Sequence, residues 1–348
     1  MLTLNQATGV TKKLAKWTVI IIGTLITLII LFRIGIFLKN IISPTPPQPP
    51  TVSYGILPIL ELPNNLDNKN YSYAIDTVTG NLPKFPDRAK VFKIVPLSIN
   101  LLALKKTGQD VTQAGFVNGP ARVNGNVYQW TDPSSAIGKK INIDIFSSEF
   151  NVSSAFLNDP NVQNGNNLPS PDEAIKLAQN FLSGMEILPT DIETIKPYYY
   201  SIQNSQLTSA SSVSDAQVIE VDLFQKNLDS LPIYYPKPYN STMNIFVGGG
   251  ENRPQILQAQ YFHQEVSTES ATYPIKTSEE AFVELKDGKA YIANPAILGK
   301  DEILLKEVSL AYYMSDKTQD YLMPIVVFKG ADGFIAYLSA VKDEWINK

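Results

Sequence analysis

The sequence predicts an α+β protein: an N-terminal transmembrane helix, then an extracytoplasmic part of antiparallel sheets with single helices packed on one face. Three observations carry that prediction. An apolar run of about 22 residues, 17–38, lies near the start. Farther on, Ile141, Ile143 and Ile145 alternate with Asn142 and Asp144, the period of two that marks a sheet with one wet face. Two stretches, Ser170-Pro171-Asp172-Glu173 and Thr277-Ser278-Glu279-Glu280, have the form of capping boxes that open isolated helices.

Residues 17–38 are almost wholly apolar apart from Arg33, and as a helix they extend roughly 33 Å, enough for a hydrocarbon core of about 30 Å. A cleaved signal peptide has a shorter apolar core, about 7–15 residues, with small residues after it. Here Lys39-Asn40-Ile41-Ile42 follow. A cleaved signal and a buried core helix are the alternatives to an uncleaved anchor. Trp17 and Leu38 mark the ends of that anchor, and Arg33 is close enough to its outer end for its stem to snorkel or to pair with a carboxylate of a partner helix. Lys12, Lys13 and Lys16 precede the run and only Lys39 follows it, so the positive-inside rule places residues 1–16 in the cytoplasm and the rest outside.

The 348 residues leave ample chain beyond the anchor for a real core, and 44% hydrophobic with 18% charged residues is the composition of a globular chain. A net charge of −4 argues against a nucleic-acid surface. With no cysteine there is no disulfide and no lipidated cysteine anchor. Residues 39–70 form a linker whose SPTPPQPP stretch is a stiff polyproline spacer of roughly 25 Å.

The remainder divides into a first α+β unit, 71–165, and a second region, 166–348. In the first, 71–78 and 90–95 read as strands. Leu97, Leu101 and Leu104 recur at helical spacing with Gly108 as a stop, and strands resume at 127–130, 141–145 and 151–157. In the second, Ala174, Ala178, Phe181 and Leu182 form the buried stripe of the helix that begins at Ser170. The strand that follows sets Ile219, Val221 and Leu223 against Glu220 and Asp222. A helix from Thr277 and strands near 303–313, 322–328 and 334–341 repeat the order about 105 residues later, which suggests duplication. Pro324 implies an edge or a bulge, and Asp332-Gly333 a hairpin turn.

Catalytic signatures are absent from the sequence. His263 is the single histidine, without a GxSxG or comparable context, and it reads as structural or exposed. A zinc site from one histidine and no cysteine is a poor prospect, and no cofactor or metal is expected. Gly248-Gly249-Gly250 lacks the lysine of a phosphate cradle and fits a hairpin. Among 33 acidic residues nothing singles out a glycosidase-like pair. The tyrosine runs at 198–200, 234–235 and 312–313 offer surface candidates, since adjacent residues of a strand face opposite ways. Tyr199, Tyr234 and Tyr313 are the expected partner contacts.

Residues 218–345 contain VIEVDLFQKNLDSLPI, a Gly-rich hairpin, PIKTSEEAFVEL and EVSLAYYMSDKTQDYLMPIVVF. This pattern resembles the YycH/YycI type of bacterial membrane-anchored regulators. The resemblance implies one membrane helix with a cytoplasmic N-terminus and duplicated PepSY-like extracytoplasmic units. It also implies regulation of a sensor kinase by contact at the membrane, without catalytic residues. The Pro-rich spacer and the first unit depart from that family. The sequence therefore points to a single-pass, non-enzymatic regulatory or interaction protein of the bacterial cell envelope, with the membrane and another membrane or envelope protein as partners. A surface enzyme acting on glycan or peptide, or a wall-polymer-binding module, is the alternative.

Overall fold

The computed structural model describes Trp17 and residues 22–34, 49–65, 71–296 and 301–347. The chain divides into two compact units, Met1–Pro49 and Pro50–Lys348. In the first unit residues 22–34 are helical and exposed. Among the described residues no helix is long and apolar enough to cross a membrane. The expected span of 17–38 is described only at Trp17 and 22–34, and Leu38 lies outside the described residues.

The second unit is α+β, with two large, mainly antiparallel sheets and few helices. One sheet has nine strands: β3 (Asn118–Asn124), β4 (Val127–Thr131), β5 (Lys140–Asp144), β6 (Phe150–Ser153), β7 (Ile192–Gln203), β8 (Gln206–Ser209), β9 (Val218–Gln225), β11 (Met243–Gly248) and β12 (Gln255–Tyr261). Their order across the sheet is β3-β4-β5-β6-β12-β11-β9-β7-β8. The other sheet holds β1 (Ser72–Ile75), β2 (Arg88–Ile94), β10 (Ile233–Tyr234), β13 (Val266–Pro274), β14 (Tyr291–Asn294), β15 (Glu302–Tyr313), β16 (Tyr321–Gly330) and β17 (Ile335–Ser339). Its central path is β1-β15-β16-β17-β14, with β2 joining β16 to β13. Two short strands, β1 and β10, run parallel to β15.

Both sheets draw strands from each side of the expected boundary at 165. Strand β6 pairs with β12, so 118–153 continue the sheet built by 192–261. Strands β1 and β2 instead join the C-terminal sheet through β15, β13 and β16. The units of this fold are sheets and not consecutive stretches of chain.

Helices cover one face of the nine-stranded sheet. These are α1 (Ala103–Gln113) and α3 (Pro171–Gly184); the single turn α2 (Pro160–Gln163) lies on the other face, where its Val162 packs with Val218 and Leu257. Helix α3 starts where its chemistry requires. The Ser170 hydroxyl accepts from Glu173 N at 3.4 Å and the Ser170 N–H donates to Glu173 Oε2 at 2.9 Å, so two orphan amides at the first turn are satisfied. Its Ala174, Ala178 and Leu182 are buried in a core with Trp130, Ile141, Val152, Val221 and Ile245. Filling that position with Leu182 is worth roughly 2–3 kcal/mol.

Helix α1 begins later than the leucine spacing suggests and runs through Gly108. Pro96 biases Val95 away from helical geometry. The Asn100 side chain then accepts from Leu102 N at 2.8 Å, forming the turn that starts the helix at Ala103. Leu97 and Leu101 are left outside the helix.

In the eight-stranded sheet α4 (Ser278–Lys286) packs Ala281 and Leu285 against Leu305, Val308, Phe328 and Phe334. Its capping box is also complete, at 2.7 Å from Thr277 N and 3.1 Å to Thr277 Oγ1. The opposite face is covered by residues of the lead-in, among them Leu57 and Leu60, which lie with Val91, Tyr273, Ile325 and Tyr337. Pro324 is neither at an outer edge nor at a bulge. It sits in β16 where one side changes partner, from β2 at Tyr321 and Leu322 to β17 from Ile325 on, so no ladder donor is required of it. The turn at Asp332-Gly333 has φ of 57° and 79°, as the hairpin needs.

The helices that open at Ser170 and Thr277 each precede an antiparallel meander, β7-β9-β11 in one sheet and β15-β16-β17 in the other. The first strand of each meander is 12 residues long.

Candidate functional site

The chain passes between the sheets at 95–117, 226–232, 235–242 and 262–265, and these crossings define the site. A groove of about 720 Å³ opens there, lined by Lys93–Ser98, Ser147, Phe262–Glu265 and Thr318–Tyr321. Gln264 fastens its floor, donating to Lys317 O at 3.2 Å and accepting from Gln319 N at 2.9 Å. Exposed Val95 and Leu97 belong to its lining, and the chain that continues from it exposes Ile99, Leu101 and Leu102 as well, Leu101 at 99%. Across the 318–321 loop, Ile59 lines a smaller cavity of about 150 Å³ and is 57% exposed. So many large apolar side chains in one short run exceed the scattered exposures expected of a soluble surface.

His263 stands at the end of the groove. Its Nε2 lies 2.9 Å from Asp191 Oδ1, and Gln225 Nε2 donates to Asp191 Oδ2 at 2.8 Å. Burial pushes the Asp191 carboxyl up, but hydrogen bonds from His263 and Gln225 and the nearby imidazole bring it below its ordinary value. Among the described residues the imidazole Nε2 meets Asp191 and Gln225, and no serine or threonine hydroxyl bonds to it.

A second group lies on the face of the nine-stranded sheet opposite α1 and α3. Glu220 and Asp222 are two residues apart in β9 and share that face, buried at 4% and 0% exposure. Glu220 Oε2 accepts from the Tyr200 hydroxyl at 2.7 Å, and Asp222 Oδ2 accepts from Ser241 N at 2.8 Å. Burial, and next the charge of Glu220, push the Asp222 carboxyl up to about 8. Burial raises Glu220 as well, against the pull of the Tyr200 hydroxyl and Lys237. Were both ionised, buried Asp222 Oδ1 would have no donor. Raised to about 8, Asp222 keeps its proton at neutral pH, so the pair shares one proton and carries a single charge.

The tyrosines expected to meet a partner divide. Tyr199 is half-buried and packs on the core beneath α3. Tyr234 is half-buried, with its ring 5.5 Å from that of Tyr337. Tyr313 is fully buried, as is Tyr312, whose ring meets Phe92 at 5.4 Å. Both faces of β15 are covered, so alternation leaves neither tyrosine outside, and Tyr313 cannot be a partner contact. Arg33 and Trp17 belong to the first unit. Among the described residues no three His, Asp or Glu side chains gather as metal ligands.

Residues 95–102 are the functional candidates that the sequence reading missed. Their signal was present as six apolar residues, Val95, Pro96, Leu97, Ile99, Leu101 and Leu102, beside one proline turn; it was absorbed into a helix that starts later.

No family model and no curated protein matches the chain. Among solved structures it is similar to an uncharacterized protein from Eubacterium rectale, at 14% identity over 80% of this chain and 90% of that one, with a TM-score of 0.39.

Proposed function

We propose that the protein is a single-pass, membrane-anchored extracytoplasmic regulatory or interaction protein without enzymatic activity, and that it modulates a membrane sensor or cell-envelope machinery. In this reading residues 17–38 are the anchor, the N-terminus is cytoplasmic and the second unit lies outside. The observation that carries the proposal is the exposed apolar run 95–102, whose first residues line the groove. Its occupant is an extracytoplasmic segment of another membrane protein. The resemblance to YycH/YycI-type regulators supports the same role, and the two helix-plus-meander units support descent from a duplicated PepSY-like element.

The energetics favour a contact made only at a membrane. Burying Ile99, Leu101 and Leu102 is worth on the order of 6 kcal/mol, at about 2 kcal/mol each. Association costs about 4–15 kcal/mol in lost freedom, so these side chains alone give weak binding in solution. Tethering both partners to one membrane raises the effective concentration toward about mM and makes the same contact effective.

The test is photocrosslinking in intact membranes from a photoreactive residue at position 101. The reading expects a discrete adduct with a membrane protein, lost on Leu102→Asp, and none from exposed position 289. Adducts to lipid alone, or equal adducts from both positions, would contradict it.

A further inference from the structure

The geometry points to a second binding site, for a neutral glycan, on the face of the nine-stranded sheet opposite α1 and α3. The inference does not rest on the apolar groove. It begins from the register. Gln129 of β4 faces Asn142 of β5, Asn142 faces Asn151 of β6, Asn151 faces Gln260 of β12, and Gln260 faces Asn244 of β11. Five carboxamides thus stand side by side on five neighbouring strands. Asp222 of β9 and Lys196 of β7 extend the row by two.

A wet sheet face needs only polarity, and strands ordinarily meet that need with threonine or with pairs of opposite charge. Asparagine is depleted in strands, yet three occupy interior positions here in a single line. The composition of the row is therefore not what sheet formation selects. Each carboxamide presents two N–H donors and a carbonyl acceptor on one rigid plane, the combination that pairs with sugar hydroxyls and acetamido groups. Gln129 spends part of its capacity on Asn142 at 2.8 Å and Asn244 part on Ser241 O at 3.1 Å. The side chains of Asn151 and Gln260, both exposed, and of half-buried Gln258 have no protein partner among the described residues.

At one end the row enters a cavity of about 320 Å³, walled by Glu220, Lys237, Asn240, Gln258, Gln260 and Asp316. Half-buried Phe246 forms part of that wall and supplies an apolar face for a sugar ring. From Gln129 to Asn244 there are four strand intervals, roughly 19 Å at about 4.8 Å each. That length takes a short run of linked sugars laid across the strands. A peptide would add to a sheet edge instead. An anionic polymer is disfavoured by Glu220 and Asp316 in that cavity and by the net charge of −4.

The test uses the full chain in micelles of a detergent without a sugar headgroup, titrated calorimetrically with chitohexaose and with cellohexaose. Saturable binding of at least one hexaose is expected below about mM. The double variant Asn151→Ala, Gln260→Ala should weaken it at least tenfold. Lys289→Ala, on a remote surface, should leave it unchanged. Because Asn151 and Gln260 are exposed, an unaltered unfolding midpoint separates loss of binding from loss of fold. No saturable heat with either hexaose, or a double variant that binds like the wild type, would overturn the inference.

Discussion

Replacing Asp222 by Asn changes one atom in the most strongly perturbed carboxyl of the fold, and the consequence can be worked out. The folded protein raises this group from 3.8 to about 8, chiefly by burial. A carboxyl raised on folding favours the native state while it is protonated in both states, below about pH 4, and that contribution is lost as pH climbs through the folded value near 8. Each unit is worth about 1.4 kcal/mol, so the loss between about pH 4 and pH 8 is on the order of 5 kcal/mol. Asparagine mimics the protonated acid: its oxygen can still accept from Ser241 N and its amide can donate to Glu220. The variant should therefore exceed the wild type by only about 1.5 kcal/mol at pH 5 but by roughly 5 kcal/mol at pH 9. Urea unfolding of residues 50–348 at both pH values reads the difference. Pressures common to both proteins cancel in the comparison. Midpoints that differ equally at pH 5 and pH 9 would refute the shared-proton account of Glu220 and Asp222.

Other perturbations follow from single contacts. Ser170→Ala removes the hydroxyl that receives Glu173 N and should cost about 1 kcal/mol, a drop of about 2–4 °C in Tm read by calorimetry. Gly249→Ala would bring a methyl group against Asn166 O, because the hairpin packs directly on that carbonyl, and should cost more than 2 kcal/mol in urea unfolding. Tyr337→Phe deletes a buried hydroxyl without a hydrogen-bond partner and should be neutral or stabilising by the same measurement.

What could be read from the sequence was what neighbouring residues decide among themselves. The boxes at Ser170 and Thr277 are complete because their partners lie three residues apart. The alternation of Ile219, Val221 and Leu223 with Glu220 and Asp222 likewise assigned the two faces of β9. The burial of those two acids was not legible, since it depends on the strap at 235–241 that returns over them from the other sheet. Tyr313 was misjudged for a similar reason: the lead-in at 52–62 covers a face that the period of two treats as open. The pairing of β6 with β12 joins residues more than a hundred positions apart, and no local pattern at either strand specifies it. Helix α1 failed through competition between signals, a leucine spacing that favoured early helix against Pro96 and the turn at Asn100 that delayed it.

The most direct test of the central claim compares crosslinking from position 101 in three forms expressed at equal level in the native membrane system: the full chain, residues 50–348 alone, and residues 50–348 behind an unrelated membrane helix. If the apolar run works by a weak contact made effective at the membrane, the full chain should give the adduct, the free fragment should lose at least about nine-tenths of it, and the unrelated helix should restore a large part. Equal adduct from the free fragment would show a contact strong enough without the anchor, and would contradict the account.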